Sequence, residues 1–338
     1  MKWDVKSKQY AEISDRIDEA ISSAFRNPYL NEPQLIANLV WYLPHFLNNT
    51  AINQHMIQVG GIFIHSQPLV KYQGLPNPKN KSVELGDLLL LRTSIKNGRV
   101  KNKRALLLQA KKFDRLPTKP DNVNQHKLYA EWPTFEYVRA SLGLTGDRRH
   151  ITGMDVYNGT KYLFVRNLTG CRKSCKSPIF PSCEYPACTG DCHSYVTAQP
   201  TMPEITQYMD FREELLEFIF GNAGKEYLSP PPSRKRNWDK VIEDLTTITA
   251  QSYSLYMTRA SNEESKIRGV EVSYGPYNST TFHKFLPAMH ELSPKIWSIV
   301  PQQEEEFEGP PEVASEWGSH EEIGAGISTI EFVVNSEG

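Results

Sequence analysis

Polar side chains interrupt two neighbouring aliphatic segments of this sequence, and their types are suited to chemistry at a metal ion. The segment ALLLQAKK, residues 105–112, ends in Gln109, Lys111 and Lys112, and the earlier segment ELGDLLLL contains Asp87. Burying an amide without a partner costs about 2–7 kcal/mol, and burying an unpaired charge costs more. Carboxylate and amide oxygens are ligands that Mg²⁺ or Mn²⁺ accepts, and an ammonium group can orient a water molecule or stabilise developing negative charge. These residue types therefore favour metal-assisted hydrolysis of a phosphodiester.

The spacing of the two segments predicts a hairpin that brings these side chains together. Asn97-Gly98 lies between two predicted strands and is a strong hairpin signal. Gln109 and Lys111 share one face of the second strand because side chains alternate. A hairpin centred on the glycine sets Asp87 opposite Gln109, whereas a strict two-residue turn would set Asp87 opposite Leu108 and separate the polar groups. The site therefore requires a three-residue loop or a bulge in the hairpin.

The segments around this hairpin predict the elements that must position it. ISDRIDEAISSAF and NEPQLIANLVWYL carry apolar residues at helical spacing, and in the second segment Asn31 and Gln34 predict a capping box and Pro44 an end. MIQVGGIFIHSQPLVKY predicts one or two strands, VNQHKLYAEWPTFEYVRASLGL a helix interrupted near Pro133, and GTKYLFVRN a further strand. The predicted order over residues 10–166 is helix, three strands, helix, strand.

In this order and in its polar residues, the chain resembles the PD-(D/E)xK nuclease superfamily in its Mrr-like QxK variant. The residues that carry the resemblance are Asp87 and, on the next strand, Gln109-x-Lys111. The chain departs from the commonest pattern of the superfamily in two respects. Glu84-Leu-Gly-Asp87 contains no proline before the aspartate, and Gln109 replaces the usual acidic residue.

Two further helical positions extend the resemblance. Members of the superfamily carry an acidic metal ligand on the helix before the sheet, where this chain has Glu32. RecB-like members carry a QxxxY motif on the helix after the QxK strand, where this chain has Gln125 and Tyr129. Positions four apart lie on one helical face, so both side chains are expected to point at the site.

The resemblance implies a restriction-endonuclease-like α/β core, in which helices flank a mixed sheet. It implies a nuclease that depends on Mg²⁺ or Mn²⁺ and hydrolyses nucleic acid, with DNA as the favoured partner, and it associates the chain with bacterial defence or restriction. The implied metal ligands are Glu32, Asp87 and Gln109, and the implied catalytic residues are these three together with Lys111, Gln125 and Tyr129.

Several of these residues also have a structural interpretation. Glu32 suits the positive end of a helix dipole, Gln125 and Tyr129 suit the edge of a core, and Glu84 falls on the face opposite Asp87 if the strand is regular. The alternative function is a catalytically inactive sheet that keeps the fold as a nucleic-acid-binding or assembly module, with a structural zinc site.

Charge is unevenly distributed along the chain, although the net charge of −1 argues against a uniformly basic surface. Residues 92–119 contain ten Lys or Arg and one acidic residue, so we expect this segment to contact phosphates around the active sheet. Residues 304–322 contain eight Glu and no Lys or Arg, which predicts a solvated, weakly ordered loop within 302–325. A further hypothesis is that this acidic loop covers the basic cleft as a phosphate mimic.

All five cysteines lie in one short insert, which predicts a second metal site. Clustering of this kind in a cytosolic chain indicates metal binding rather than disulfides. The spacing is not that of a common zinc finger, but a closed tetrahedral Zn²⁺ site made by four of six side chains is favoured, with an iron–sulfur cluster as the alternative. The candidate ligands are Cys171, Cys175, Cys183, Cys188, Cys192 and His193.

The length of 338 residues allows two or three domains. We expect a nuclease-like core at 1–166, the zinc-binding insert at 167–200, and an α+β region at 201–338, in which ITQYMDFREELLEFIF and WDKVIEDLTTITAQSYSLYM predict helices and GVEVSYG, KIWSIVPQ and ISTIEFVVN predict strands. No apolar segment approaches the roughly 20 residues that span a bilayer, and the first residues lack the apolar centre of a secretory signal. A cytoplasmic protein without a membrane partner is therefore expected, and a protein partner or a homo-oligomer is compatible with this composition.

The cysteine insert leads to the first prediction. We expect the purified protein to carry zinc and no iron, because four thiolate or imidazole ligands form a closed tetrahedral Zn²⁺ site. Elemental analysis of the protein measures both metals. Iron in place of zinc would instead favour the cluster, and the absence of both metals would contradict a metal site in the insert.

Overall fold

The computed structural model describes residues 8–27, 29–52, 55–64, 68–77, 81–113, 119–140, 143–166, 195–228, 237–259, 270–273 and 326–336. Within these ranges the protein is a mixed α/β structure with one large mixed sheet, one small antiparallel sheet and six helices. None of the helices in this part of the chain is long and apolar enough to cross a membrane. The cysteine insert with its six candidate zinc ligands, the acidic loop 302–325 and the predicted strand KIWSIVPQ lie outside the described residues.

The helices and strands are numbered in chain order. The helices are α1 (Lys8–Ala24), α2 (Glu32–Leu47), α3 (Val123–Glu131), α4 (Gly153–Val156), α5 (Phe211–Phe220) and α6 (Asn237–Arg259). The strands are β1 (Thr50–Ile52), β2 (His55–Ile64), β3 (Leu69–Tyr72), β4 (Val83–Glu84), β5 (Leu88–Lys96), β6 (Arg99–Phe113), β7 (Phe135–Arg139), β8 (Arg148–Arg149), β9 (Thr160–Arg166), β10 (Tyr195–Ala198), β11 (Tyr208–Asp210), β12 (Lys225–Glu226), β13 (Val270–Ser273) and β14 (Ser328–Ser336).

The large sheet joins strands from both ends of the chain. Its order is β1-β2-β14-β5-β6-β9-β10-β11, with β12 beside β6 and β13 beside β2, and the small sheet has the order β4-β3-β7-β8. β5 and β6 are antiparallel, whereas β6 and β9 are parallel. β14 lies between β2 and β5 and runs parallel to β5. The boundaries expected at 166 and 200 therefore fall within one hydrogen-bonded sheet.

The β5–β6 hairpin has a tight turn followed by a bulge. Asn97 and Gly98 have φ values of 51° and 70°, which are the left-handed conformations of a two-residue type I′ turn. This turn pairs Lys96 with Arg99. Moving away from the turn, the register shifts by one residue just before Ser94, and the shifted register then continues to the pair of Leu88 with Leu108. The bulge that the site requires is thus present, and the predicted register is confirmed.

Both faces of the central strands are buried against apolar layers. Leu88, Leu90, Leu106 and Leu108 contribute to a core that includes α1, α2 and α5. The alternate leucines face a second core that includes α3, α6 and the small sheet. Burial on both faces explains why these strands are continuous aliphatic runs and not alternating sequences.

Most predicted elements are confirmed, and the differences have local causes. The capping box of α2 forms between Asn31 and Gln34, but the helix continues past Pro44 to Leu47 because a proline in the last turn removes a single intrahelical hydrogen bond. The segment after Pro133 is the strand β7 and not a helix. Trp132 ends α3 in a left-handed conformation, and the chain then buries alternate aromatic side chains.

A buried ion pair joins the small sheet to α6 and gives the second prediction. Arg149 of β8 donates to Asp244 of α6 from Nε at 2.5 Å and from Nη2 at 2.9 Å, and their side chains are 5% and 8% exposed. Asp244→Ala leaves the guanidinium buried without this partner, so we expect the free energy of unfolding to fall by about 3–5 kcal/mol. Urea unfolding measures the change.

The control for this prediction is the neighbouring arginine. Arg148 is 76% exposed and pairs with Glu136 at the surface, so Arg148→Ala should cost less than about 1 kcal/mol. Equal losses in the two variants would contradict a stabilising role for the buried pair.

Candidate active site

The carboxyl end of β6 brings together the polar side chains that the sequence singled out. The Asp87 amide donates to the carbonyl oxygen of Leu108 at 2.9 Å, which continues the β5–β6 pairing by one residue. Asp87 Oδ2 accepts hydrogen bonds from the backbone amide of Ala110 at 2.6 Å and from the side-chain amide of Gln109. Asp87 and Gln109 therefore lie on the same face of the sheet.

A chain of amides continues from this carboxylate into the protein. Gln109 is completely buried, and its Oε1 accepts a hydrogen bond from Gln125 Nε2 at 2.6 Å. Gln125 lies in the first turn of α3, where the cap residue Asn122 accepts its backbone amide at 3.1 Å. The orientation of Gln109 is thus fixed on both sides: its nitrogen faces Asp87 and its oxygen faces Gln125.

The first turn of α2 contributes the second carboxylate. Glu32 is the first residue of the helix, and its Oε2 accepts from Lys111 Nζ at 2.9 Å while its Oε1 accepts from the Lys112 amide at 3.1 Å. The side chains of Lys111 and Glu32 are both partly buried. Glu32 therefore reaches the QxK strand, as the sequence predicted, through the lysine.

Tyr129 supports the segment that carries Asp87 without facing the solvent. Its hydroxyl donates to the Leu85 carbonyl at 2.8 Å, and the ring is buried. The backbone packs closely here, because a Cβ on Gly86 would lie 2.6 Å from Leu107 Cδ1 and 3.0 Å from the Tyr129 hydroxyl oxygen. Glycine at 86 and the Tyr129 hydrogen bond thus hold the turn that delivers Asp87.

Burial and neighbouring charges shift the pKa values of the site. Burial, followed by the negative charge of Glu84, raises the pKa of Asp87 to about 7, although Lys111 and the Ala110 amide oppose the rise. For Lys111, burial lowers the pKa, but the carboxylates of Glu32 and Asp87 outweigh burial and raise it overall. Lys111 is therefore a cation at neutral pH, suited to stabilising negative charge and not to acting as a base.

The Glu84 carboxylate also acts on Asp87, which the sequence did not indicate, because its negative charge is one of the causes that raise the pKa of Asp87. A regular strand would place Glu84 opposite Asp87, but residues 85–87 are not part of a strand, so the two-residue period does not apply between β4 and β5. Glu84 is exposed, yet the protein packed around it raises the pKa of its carboxyl group, and Lys111 opposes this rise. The glycine between Glu84 and Asp87 was the signal of a broken strand.

The donor groups fit a hard divalent cation in their chemistry. Glu32 forms an ion pair with Lys111, the charge of Lys111 also acts on the carboxylates of Glu84 and Asp87, and a bound cation would favour the charged form of the buried Asp87 carboxylate. Among the described residues, no group of three or more His, Cys, Asp or Glu side chains is already arranged to hold a metal ion. Binding would therefore require these side chains to move together.

Comparison with protein-family models, with characterised proteins and with solved structures gives no match for this chain. The chemistry of the site is thus the basis for assigning a function.

The raised pKa of Asp87 gives the third prediction, which concerns the stability of the metal-free protein. An unfolded aspartate loses its proton near pH 3.9, whereas burial raises the pKa of Asp87 to about 7. Between these values the folded state holds the extra proton, so the free energy of unfolding falls with rising pH by about 1.4 kcal/mol per pH unit. Asp87→Asn removes this pH dependence. The free energy of unfolding of the variant should therefore exceed that of the wild-type protein by an amount that grows from pH 4 to pH 7 and then stays constant.

Urea unfolding in EDTA at pH 5 and pH 8 measures this difference. Asp15→Asn on the exposed face of α1 is the control and should change stability equally at the two pH values. If Asp87→Asn also shifted stability equally at both, Asp87 would titrate as an ordinary surface carboxylate.

Proposed function

We propose that this chain is a metal-dependent nuclease with a restriction-endonuclease-like core, which hydrolyses phosphodiester bonds in nucleic acid, with DNA favoured. The observation that carries the proposal is the buried Asp87 carboxylate, which is hydrogen-bonded to Gln109 and lies close enough to Lys111 for each charge to shift the pKa of the other. Burying a carboxylate costs free energy even when it is hydrogen-bonded, and buried groups with shifted pKa values cluster at functional sites. The zinc site of the cysteine insert is part of the same proposal.

Each side chain has a definite role in this proposal. Asp87, Glu32 and Glu84 offer carboxylate oxygens to Mg²⁺ or Mn²⁺, which when bound acts as a Lewis acid and lowers the pKa of a water molecule. A half-turn of the Gln109 amide would present its oxygen beside Asp87. The Lys111 ammonium stabilises negative charge that develops on the phosphoryl oxygens, and Gln125 and Tyr129 hold Gln109 and the 84–87 turn in position.

The order of the central elements supports the proposal. α2, β2, β5, β6, α3 and β9 follow each other along the chain as helix, three strands, helix, strand, with short elements between them. β5 and β6 deliver the polar residues at one end of the sheet, and β14, which separates β2 from β5, is an addition to this core.

One observation favours the second candidate function, a catalytically inactive nucleic-acid-binding or assembly module. The Gln109 oxygen already accepts from Gln125, and Asp87 Oδ2 already accepts two amides. A network satisfied in this way also suits a structural role. Cleavage activity separates the two functions.

The fourth prediction is that the wild-type protein cleaves plasmid or single-stranded DNA in Mg²⁺ or Mn²⁺ and that Asp87→Ala and Lys111→Ala each lose about 100-fold or more in rate. The first variant removes a metal ligand, and the second removes charge stabilisation in the transition state, where one such group contributes about 10²–10³. Gel assays of product formation, with RNA as a parallel substrate, measure the rates.

Variants at exposed positions provide the controls for cleavage. Asp15→Ala and Lys71→Ala should cleave at the wild-type rate. Equal background in all five proteins would reject the nuclease, and retained binding of DNA in EDTA would then favour the inactive module.

A further inference from the structure

The basic segment of the sequence separates into groups with different partners. Arg92 and Arg104 bind carbonyl oxygens within the fold. Arg92 Nε donates to Ile219 in the last turn of α5 at 2.7 Å, and Arg104 Nε donates to Ala223 in the loop after α5 at 2.8 Å. Lys111 and Lys112 contact Glu32 and the start of α2 at the candidate active site. These residues are therefore not a continuous basic surface.

Three exposed cations of the segment lie at the tip of the β5–β6 hairpin. Lys96, Arg99 and Lys101 are exposed around the Asn97-Gly98 turn, and Val100 between them is 51% exposed. They line a shallow concavity together with Asn97. None of the three cations forms an ion pair with another described residue.

The tip is far from the candidate active site. Lys111 follows Lys101 by ten positions in β6, and a strand rises by about 3.3 Å per residue, so the two lysines are about 33 Å apart. This distance equals about ten base pairs of duplex. A nucleic acid that contacts the tip therefore has to extend one helical turn to reach the QxK end of the same strand.

We propose that the hairpin tip formed by Lys96, Arg99 and Lys101 is a separate nucleic-acid contact surface, which binds the phosphate backbone about one helical turn from the candidate active site. β14 pairs with β5 as far as Lys96, so the tip is the exposed edge of the sheet at the Asn97-Gly98 turn, and its three exposed cations can contact phosphate oxygens along a nucleic-acid backbone. Among the described residues, no carboxylate lines the concavity at this tip. It binds independently of cleavage, so this inference does not require that the site be a nuclease.

The test uses the full-length triple variant K96Q/R99Q/K101Q and a fluorescent 30-base-pair duplex in EDTA. Each lost phosphate contact makes the plot of log affinity against log salt concentration shallower by about 0.9. The slope of the triple variant should therefore be about 2–3 units shallower than the wild-type slope. At 0.1 M salt the variant should bind the duplex at least about tenfold more weakly. The single variant R99Q should lose about one unit, which keeps the test valid if the triple variant folds poorly.

A matched control separates local contacts from net charge. R16Q/K71Q/R148Q removes the same charge from exposed positions elsewhere and should keep the wild-type slope. An unchanged slope in the tip variant would overturn the proposal. An equal change of the slope in the control variant would also overturn it. So would a tip variant that binds anionic vesicles more weakly but binds DNA as the wild-type protein does.

A cleavage arm distinguishes this inference from the proposed function. If the wild-type protein cleaves DNA, the tip variant should cut a hairpin-capped eight-base-pair duplex at the wild-type rate and long DNA more slowly, because the short duplex cannot span both ends. If the wild-type protein cleaves nothing, the binding result in EDTA still decides the role of the tip.

Discussion

Backbone hydrogen bonds between β5 and β6 place Asp87 beside Gln109, and a shift of one residue would turn these side chains to opposite faces of the sheet. The aliphatic residues do not select the register, because both faces of both strands are buried. The tight Asn97-Gly98 turn on its own would select the wrong pairing. The bulge beyond the turn corrects it, so the whole site depends on one extra residue near the hairpin tip.

Polar contacts at two places along the strands explain why the bulged register is stable. In this register Arg92 lies opposite Arg104, a repulsive cross-strand pair in isolation. Arg92 instead binds the Ile219 carbonyl oxygen in the last turn of α5, where the helix dipole is negative and Gly221 leaves room for the guanidinium group, and Arg104 binds the Ala223 carbonyl oxygen in the loop that follows. At the other end of the strands, the Gln109 amide and the Ala110 backbone bind Asp87. The register is therefore held at both ends by groups that a one-residue shift would separate.

The sequence alone predicts those parts of the site that depend on the alternation of side chains along a strand and on short turns. The common face of Asp87, Gln109 and Lys111 follows from strand alternation and the hairpin. The capping box predicted where α2 begins, but Glu32 was expected at the site only because of the resemblance to the nuclease superfamily. Glu84 was missed because its position depends on a break between β4 and β5. Sequence patterns also did not predict that β14 pairs with β2 and β5. Strands separated by more than 200 residues pair through backbone groups, which every sequence has.

The basic segment shows why proximity in sequence is a poor guide to a binding surface in a sheet. Arg92 and Arg104 are neighbours across the hairpin, whereas Lys101 and Lys111, which are closer in sequence, stand at opposite ends of β6. An extended strand separates charges that a helix would gather on one face. The same hairpin register fixes both ends: it sets the carboxylate against the amide at one end and displays Lys96, Arg99 and Lys101 at the other. A change in the bulge would therefore disturb the site and the tip together, although the two share no contact.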